Sequence, residues 1–114
     1  MVTSRATYVR GDVWIVDLDP TVGTEINKSR VCVIISPPEL NESNLRRVIV
    51  APMTSDTSIE AGFRPAIKFD SKNGVVAIDQ LRAVSVNRLV QRKGALRPSY
   101  MVTVLDQLRL MFEE

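Results

Sequence analysis

Histidine is missing from all 114 residues of the sequence, and this absence excludes a wide range of chemistry. Without an imidazole the chain cannot hold a serine or cysteine hydrolase triad, a pair of catalytic histidines or most kinds of zinc site. Any catalysis must therefore depend on carboxylates, guanidinium and ammonium groups, and hydroxyls.

Cysteine and long apolar runs are also scarce. The single Cys32 cannot form an internal disulfide, and it lies in an apolar segment where we expect a buried thiol. The longest apolar stretches, around Val31–Ile35 and Val48–Val50, are far shorter than the roughly 20 residues that a membrane span requires. We therefore expect a cytoplasmic protein with no membrane association, formed by a single domain over residues 1–114.

The net charge of +2 is too small to indicate a nucleic-acid ligand by itself. Arginine nevertheless outnumbers lysine eleven to four, and a guanidinium group binds phosphate in a bidentate manner and stacks on bases. Many of these cations fall in two stretches, Arg46–Arg47 and Arg82–Arg97. Solvated surface charge is the ordinary interpretation of each one, and binding of phosphate is the functional one.

Short β-branched segments separated by turn residues dominate the pattern. They predict six strands, over residues 12–18, 31–35, 46–53, 65–69, 75–78 and 80–84, and a hairpin turn over Asp70–Gly74 that carries the pair Asn73-Gly74. Apolar residues at helical spacing after Pro98 predict one helix that continues to Phe112. We expect a mainly β fold with a C-terminal α-helix, in which a small, SH3-like curved antiparallel sheet forms a partly open barrel.

The segment Arg10–Glu25, RGDVWIVDLDPTVGTE, resembles the opening of the MazF/PemK/Kid toxins, where a Gly-Asp strand leads into Asp-Pro-x-x-Gly-Ser/Thr-Glu. Further family motifs follow in order over residues 9–112: Arg30, Ile35-Ser36-Pro37, Val50-Ala51-Pro52-Met53-Thr54, Gly74-Val75-Val76, and Asp79-Gln80 followed by Leu81-Arg82-Ala83-Val84. The resemblance implies the toxin of a type II toxin–antitoxin system with a MazF/CcdB-like fold. Such a toxin is a sequence-specific endoribonuclease that cleaves single-stranded RNA without metal or other cofactor. Its implied partners are a second copy of itself, in a homodimer, and a cognate antitoxin with an acidic, disordered tail.

The resemblance also implies the residues of the site. Catalytic roles fall to Glu25 as the base, Arg30 as the phosphate clamp, Thr54 as a hydroxyl donor, and Asp79 as a second carboxylate or as the group that holds Arg82. Contacts with RNA are expected from Thr24, Asn27, Lys28, Ser55, Gln80 and Arg82, with Gln80 able to read a base edge. In such a reaction the ribose 2′-OH is the nucleophile, so neither metal nor histidine is needed and DNA is resistant.

Three positions depart from the family pattern. Arg30-Val31 stands where most relatives have Arg-Pro, and Glu25-Ile26 stands where many have Glu-Gln. Ala77 occupies a position where the Kid-like branch has an arginine, two residues before the aspartate. These departures leave a relative that binds RNA or antitoxin without cutting as one alternative.

Two further alternatives differ in their chemistry. A CcdB-like inhibitor of DNA gyrase would share the fold, but such a protein acts through a C-terminal tail that contains tryptophan, and the only tryptophan here is Trp14. A metal-dependent nuclease could use Asp17 and Asp19 as ligands for Mg²⁺. The position of both carboxylates before Pro20 favours a role in starting a turn instead.

Overall fold

The computed structural model describes residues 7–20, 22–26, 28–56 and 63–114. Within these residues the chain forms seven strands and two helices. In chain order they are β1 (Asp12–Asp17), β2 (Ser29–Ile34), α1 (Pro38–Asn41), β3 (Arg47–Thr54), β4 (Ala66–Phe69), β5 (Lys72–Val76), β6 (Arg82–Ser85), β7 (Leu89–Ala95) and α2 (Pro98–Met111). Two short 3₁₀ turns, Ile78–Gln80 and Val86–Arg88, lie on either side of β6.

The strands form one curved antiparallel sheet in the order β4-β5-β3-β2-β1-β7. The long strand β3 pairs with β2 along one edge. Along its other edge it pairs with two strands, β6 beside its first half and β5 beside Met53 and Thr54. The two ends of the sheet approach each other, because a Cβ added at Gly94 of β7 would lie 3.3 Å from the Phe69 ring of β4. The sheet therefore curls into a partly open barrel, and the predicted fold class is confirmed.

Each face of the sheet has its own apolar cluster, as the alternation of side chains along a strand requires. One cluster packs β1, β2, β3 and β5 against α2 and includes Val13, Val33, Ala51, Val76, Met101, Val104 and Leu108. The other lies on the opposite face and includes Val16, Leu18, Cys32, Ile34, Val48, Val50 and Val84. Full burial of each such aliphatic side chain contributes about 1.5–3 kcal/mol, so these clusters provide most of the gain from packing.

Helix α2 begins at Pro98, as predicted, since proline has the φ angle of a first helical residue and its missing N–H has no partner to lose there. Met101, Val104 and Leu108 form its buried stripe. No helix in the described ranges has the length and apolar character that crossing a membrane would demand.

The β4–β5 hairpin turns inside the predicted segment Asp70–Gly74, but at its first two residues and not at the Asn73-Gly74 pair. Asp70 and Ser71 have positive φ angles of 53° and 64° and join the paired residues Phe69 and Lys72, which is the geometry of a two-residue type I′ turn. Gly74 instead lies inside β5, where a Cβ would come within 2.7 Å of the Thr54 carbonyl oxygen. The glycine therefore permits a close approach of two strands and does not form a turn.

Three elements near the site also differ from the prediction. The strand expected over residues 75–78 stops at Val76, because the chain enters the 3₁₀ turn Ile78–Gln80. Strand β7 was not predicted, since it is an exposed edge strand with little apolar alternation. The four-residue helix α1 was not predicted either, as it is too short to show a periodic pattern.

Candidate active site

A small cleft of about 140 Å³ lies between the β1–β2 connection and the 3₁₀ turn Ile78–Gln80. Its lining combines apolar and polar side chains: Leu18, Glu25, Ile26, Pro52, Asp79, Gln80, Leu81 and Arg82. Four residues that the sequence resemblance assigns to catalysis or RNA binding thus meet at one place, although they lie far apart in the chain. A concave surface with a few converging polar groups is the usual form of an active site.

Glu25 lies in a tight, exposed turn of the β1–β2 connection. Its N–H donates to the carbonyl of Val22 at 3.4 Å, and its Oε1 accepts from the Val22 N–H at 2.9 Å. Its Oε2 takes part in no hydrogen bond with the described residues, which leaves that oxygen open to a ligand. Thr24 is exposed in the same turn, and Asn27 lies outside the described residues.

Gln80 links the Glu25 turn to the 3₁₀ turn. Its Oε1 accepts a hydrogen bond of 2.6 Å from the N–H of Ile26, the residue that follows Glu25. The amide oxygen is therefore used inside the protein, and only the Nε2 group of Gln80 remains to meet a base edge. This positioning of the Glu25 turn is a role that the sequence did not suggest.

Asp79 is bound by Arg64 and not by Arg82. The Nε and Nη2 atoms of Arg64 donate to the two carboxylate oxygens of Asp79, both at 2.8 Å, in a bidentate pair. Arg64 is buried, with 6% of its side chain exposed, whereas Asp79 keeps 31% exposed at the cleft. Of the two roles considered for Asp79, holding Arg82 is therefore the one that the structure contradicts.

The Arg64–Asp79 pair fixes the charge state of both groups. The hydrogen bonds from Arg64 lower the pKa of the Asp79 carboxyl below its ordinary value, against the opposing effect of burial. The same contact raises the pKa of Arg64. Asp79 is thus an anion at neutral pH with both oxygens engaged, which makes it a weak base and a poor proton donor.

Arg64 is the site residue that sequence reasoning missed. It is one of eleven arginines, and it lies outside the motifs that carry the family resemblance. The only signal was indirect: Ala77 leaves Asp79 without the arginine that the Kid-like branch has two residues earlier. The structure provides a guanidinium from the segment that leads into β4 instead.

Arg82 and Arg88 support the end of β1. The Nη1 atom of Arg82 donates to the carbonyl of Leu18 at 3.0 Å, and the Nη1 atom of Arg88 donates to the carbonyls of Asp17, at 3.1 Å, and Asp19. Arg82 also lines the cleft.

The carboxylates of Asp17 and Asp19 shape the β1–β2 connection. The Asp17 Oδ1 accepts from the Asp19 N–H at 3.1 Å, and the Asp19 Oδ1 accepts from the N–H of Lys28 at 2.8 Å. Lys28 is exposed and has a positive φ of 63°, so this connection turns sharply before β2. Across the described part of the chain, no three His, Cys, Asp or Glu side chains come together as a metal site would need.

Arg30 and Thr54 do not line the 140 Å³ cleft, but strand pairing puts them next to it. The pairing of β2 with β3 ends at Cys32 opposite Pro52, and Arg30 and Thr54 each lie two residues beyond this pair, at the same end of the two strands. Because side chains alternate along a strand, both residues fall on the same face as Pro52, which lines the cleft. The predicted catalytic residues are therefore divided between the cleft and the neighbouring end of β3.

Thr54 and Ser55 line a second, larger cleft of about 310 Å³ beside the β4–β5 hairpin. The Oγ1 of Thr54 accepts a hydrogen bond from the Asp56 N–H at 3.1 Å. A hydroxyl that accepts in this way still has its own hydrogen to donate, for example to a phosphate oxygen.

Cys32 is fully buried, as expected, and is not a nucleophile at neutral pH. Burial raises the pKa of its thiol to about 12, with a smaller opposing effect of Arg82. Since the thiolate is the reactive form, this group is chemically inert in the folded protein.

Comparison with known sequences assigns this architecture to a family. Residues 9–112 match the family described as PemK-like, MazF-like toxin of type II toxin-antitoxin system. The chain is 34% identical to the endoribonuclease PemK of Escherichia coli over 92 residues, which are 75% of this chain and 67% of that protein. It is 27% identical to the endoribonuclease MazF9 of Mycobacterium tuberculosis, over 89% of this chain and 92% of the relative.

Solved structures of low sequence identity share the fold. MazF from Deinococcus radiodurans superimposes with a TM-score of 0.77 at 19% identity, over 95% of this chain and 97% of that one. An endoribonuclease from a mycobacterial species, solved in complex with its cognate antitoxin, gives a TM-score of 0.70 at 19% identity, over 90% and 89% of the two chains. The expected endoribonuclease toxin is confirmed, and the chain belongs to the PemK-like, MazF-like toxins of type II toxin–antitoxin systems.

Proposed function

We propose that this endoribonuclease toxin cuts single-stranded RNA sequence-specifically and without a metal ion, in the 140 Å³ cleft and along the adjoining end of β3. The observation that carries the proposal is the meeting of Glu25 and Asp79 in one cleft, with Arg30 and Thr54 on the neighbouring strands. We assign the Glu25 carboxylate, the Arg30 guanidinium and the Thr54 hydroxyl to a single phosphate of the substrate. We place the reaction in the cytoplasm, where the substrate is found.

The reaction needs a base for the 2′-OH, a group that stabilises the charge on the phosphate, and a proton for the 5′-oxygen leaving group. Glu25 takes the proton of the ribose 2′-OH through its open Oε2 while the 2′-oxygen attacks the adjacent phosphorus. The P–O2′ bond forms as the P–O5′ bond breaks, which leaves a 2′,3′-cyclic phosphate. The departing 5′-oxygen takes a proton from solvent, because a guanidinium group is a poor acid.

Arg30 and Thr54 stabilise the charge that develops on the phosphate. Arg30 binds the non-bridging oxygens as a clamp, and the Thr54 hydroxyl donates one further hydrogen bond. Asp79, paired with Arg64, acts as a fixed anion that keeps the 3₁₀ turn in place. The base function therefore falls to Glu25 alone.

The remaining predicted RNA contacts surround these groups. Thr24 and Lys28 are exposed in the β1–β2 connection, Ser55 is exposed at the end of β3, and Arg82 lines the cleft. Hydroxyl and cationic groups on two sides of the cleft support binding of the nucleotides on either side of the cleaved phosphate.

The Arg64–Asp79 pair favours an active enzyme over a relative that only binds. Although position 77 is an alanine, Asp79 still has an arginine partner, because Arg64 binds it from a different segment. The gyrase-inhibitor alternative has no observation in its favour.

The test is cleavage of a mixed-sequence RNA by the purified protein in excess EDTA, with a DNA of the same sequence as control. We expect RNA products with 2′,3′-cyclic phosphate and 5′-hydroxyl ends, no cleavage of the DNA, and loss of the products in Glu25→Gln. Dependence of all activity on a metal ion, or products with 5′-phosphate ends, would refute the mechanism.

We also propose that the toxin forms a two-fold homodimer and binds an antitoxin whose acidic tail competes with RNA. Val102 and Leu110 of α2 and Phe112 just after it are exposed by 59%, 60% and 73%, and these are apolar side chains that a second copy can cover. The solved relatives in complex with their cognate antitoxins support the second partner.

Light scattering at micromolar concentration tests the dimer, and titration of bound RNA with the antitoxin tail tests the competition. We expect twice the mass of the chain and mutual exclusion that weakens with salt. A strict monomer, or a complex that holds RNA and the tail together, would contradict this arrangement.

A further inference from the structure

Two clefts meet at the tip of the β4–β5 hairpin, away from the 140 Å³ cleft. The first, of about 310 Å³, is lined by Thr54, Lys72 and Lys93, among others. The second, of about 450 Å³, is lined by Lys68, Arg97 and Tyr100, among others. Phe69 and Asp70 line both, so the two clefts form one continuous surface that begins at Thr54.

Three of the four lysines of the chain meet on this surface, although they lie at positions 68, 72 and 93. Strand pairing explains how they meet. Lys72 lies opposite Phe69 and Lys68 opposite Asn73, so the side chains of the two lysines leave the hairpin on opposite faces. Each lines one of the two clefts, and the clefts join at Phe69 and Asp70.

Lys93 is directed to the surface by a bulge in β7. The pairing of β1 with β7 shifts between Val13↔Gly94 and Trp14↔Arg92, which leaves Lys93 as the extra residue. A bulge of this kind redirects one side chain of an edge strand. The adjacent Gly94 lies against the Phe69 ring, and this contact brings β7 to the hairpin.

The charge of this surface is not neutralised by the residues that the structure describes. Lys68, Lys72, Lys93 and Arg97 take part in no ion pair with any residue of the described ranges. Among the described residues, Asp70 is the one carboxylate that lines the two clefts, so four cations face a single anion there. Such an excess attracts an anionic chain that passes over both clefts.

We propose that Lys68, Lys72, Lys93 and Arg97 form a basic track that binds the phosphates of the RNA strand beyond the cleaved nucleotide. The proposal rests on the proposed function, since the track begins at Thr54. The half-buried Phe69 between the cations favours RNA over an acidic polypeptide, because single strands combine phosphate contacts with stacking of bases on aromatic rings. The track holds the substrate and takes no part in the chemical step.

The test is binding of a fluorescent, mixed-sequence 2′-O-methyl RNA of 12 nucleotides, which has no free 2′-OH and cannot be cut. Each phosphate contact to a single strand contributes about 0.7 to the slope of log K against log salt, or roughly fivefold in affinity at 0.1 M salt. We expect the double variant Lys72→Gln/Lys93→Gln to bind about 25-fold more weakly and to reduce the slope by about 1.4. The single-turnover cleavage rate at saturating enzyme should be unchanged.

The matched control is Arg47→Gln/Arg109→Gln, which removes the same charge elsewhere. Arg47 lies at the other end of β3, roughly 23 Å from Thr54, and Arg109 is exposed near the end of α2. This control should bind within twofold of wild type. Thermal unfolding of both variants by circular dichroism establishes that they are folded.

Several results would overturn the track. The first is that the wild type does not bind the oligonucleotide, and the second is that the track variant binds it as tightly as the wild type does. The third is that the control variant loses as much affinity as the track variant, which would indicate an effect of net charge. Loss of binding to a polyglutamate probe with oligonucleotide binding intact would show instead a surface for acidic protein. A wild type that binds the oligonucleotide through these lysines yet cuts no RNA would leave the track in place and refute the proposed function.

Discussion

Replacing Arg64 by glutamine breaks the bidentate pair with Asp79 and should lower both stability and activity. Two charge-assisted hydrogen bonds of 2.8 Å are lost, and each contributes about 1.5–3 kcal/mol. Part of this loss is offset, because the variant no longer buries the charge of a guanidinium group. Asp79 is about one-third exposed, so water solvates the freed carboxylate and limits the cost. We expect a net loss of roughly 2–3 kcal/mol, or a melting temperature lower by about 8–12 °C.

The pH dependence of this loss gives a sharper assay than its size. Because the pKa of Asp79 is lowered in the folded protein, its contribution to stability is complete above the carboxyl pKa of the unfolded chain, about 4. The contribution disappears as pH falls from there through the lowered pKa. Urea unfolding followed by fluorescence of the single Trp14 should therefore show a gap between wild type and Arg64→Gln at pH 7 that closes below about pH 4.

Arg92→Gln provides a matched control, because it breaks a second bidentate Arg–Asp pair. Arg92 donates to both oxygens of the buried Asp12 at 3.2 Å, in a contact that joins β7 to β1 and does not line the cleft. Both variants should lose stability, but only Arg64→Gln should lose cleavage, by up to about 100-fold, as expected for a misplaced site residue. Equal stability of wild type and Arg64→Gln at pH 7, or a gap that does not change with pH, would refute the reasoning.

Three further predictions concern other parts of the molecule. Glu25→Gln and Arg30→Ala should each lower the initial cleavage rate by orders of magnitude with little change in melting temperature. Thr54→Ala should lower the cleavage rate by about 100-fold or less. Near-full activity of Arg30→Ala would show that another residue is the phosphate clamp. Gly74→Ala should lose about 1–3 kcal/mol in urea unfolding, because its Cβ would lie 2.7 Å from the Thr54 carbonyl oxygen, and an unchanged unfolding midpoint would contradict this close approach. Native Cys32 should resist alkylation by iodoacetamide at pH 8, where its thiol with a pKa of about 12 is protonated, and rapid labelling followed by mass spectrometry would contradict its burial.

The main strands and the final helix could be predicted because their apolar residues follow the periods of buried structure. Strand β7 could not, since its sequence LVQRKGA is held at the edge of the sheet by pairing with β1 and not by apolar alternation. The hairpin turn lies within the predicted segment Asp70–Gly74, but the strong signal Asn73-Gly74 did not mark it, since Asp70 and Ser71 are the residues at positive φ. Only the pairing of β5 with Thr54 explains why a glycine is needed at position 74.

Only those residues of the candidate site that belong to local sequence motifs could be predicted. Glu25, Asp79 and Gln80 belong to such motifs, and the fold brings them to one cleft. Arg64 belongs to none, and its contact with Asp79 joins the residues just before β4 to the 3₁₀ turn, which are 15 positions apart in the sequence. The lysines of the basic track converge through strand register and a bulge, neither of which is visible in composition.

The 3₁₀ turn Ile78–Gln80 has a consequence for how such toxins diversify. The turn is attached to β3 by the Ala77 N–H, which donates to the Pro52 carbonyl at 2.8 Å. Among the described residues, two connecting segments, one with Glu25 and one with Arg64, are each hydrogen-bonded to it by one side chain, Gln80 or Asp79. A change elsewhere in either segment that keeps this contact leaves the turn in place. New target sequences can then arise by loop exchange while the scaffold and its chemistry are inherited unchanged.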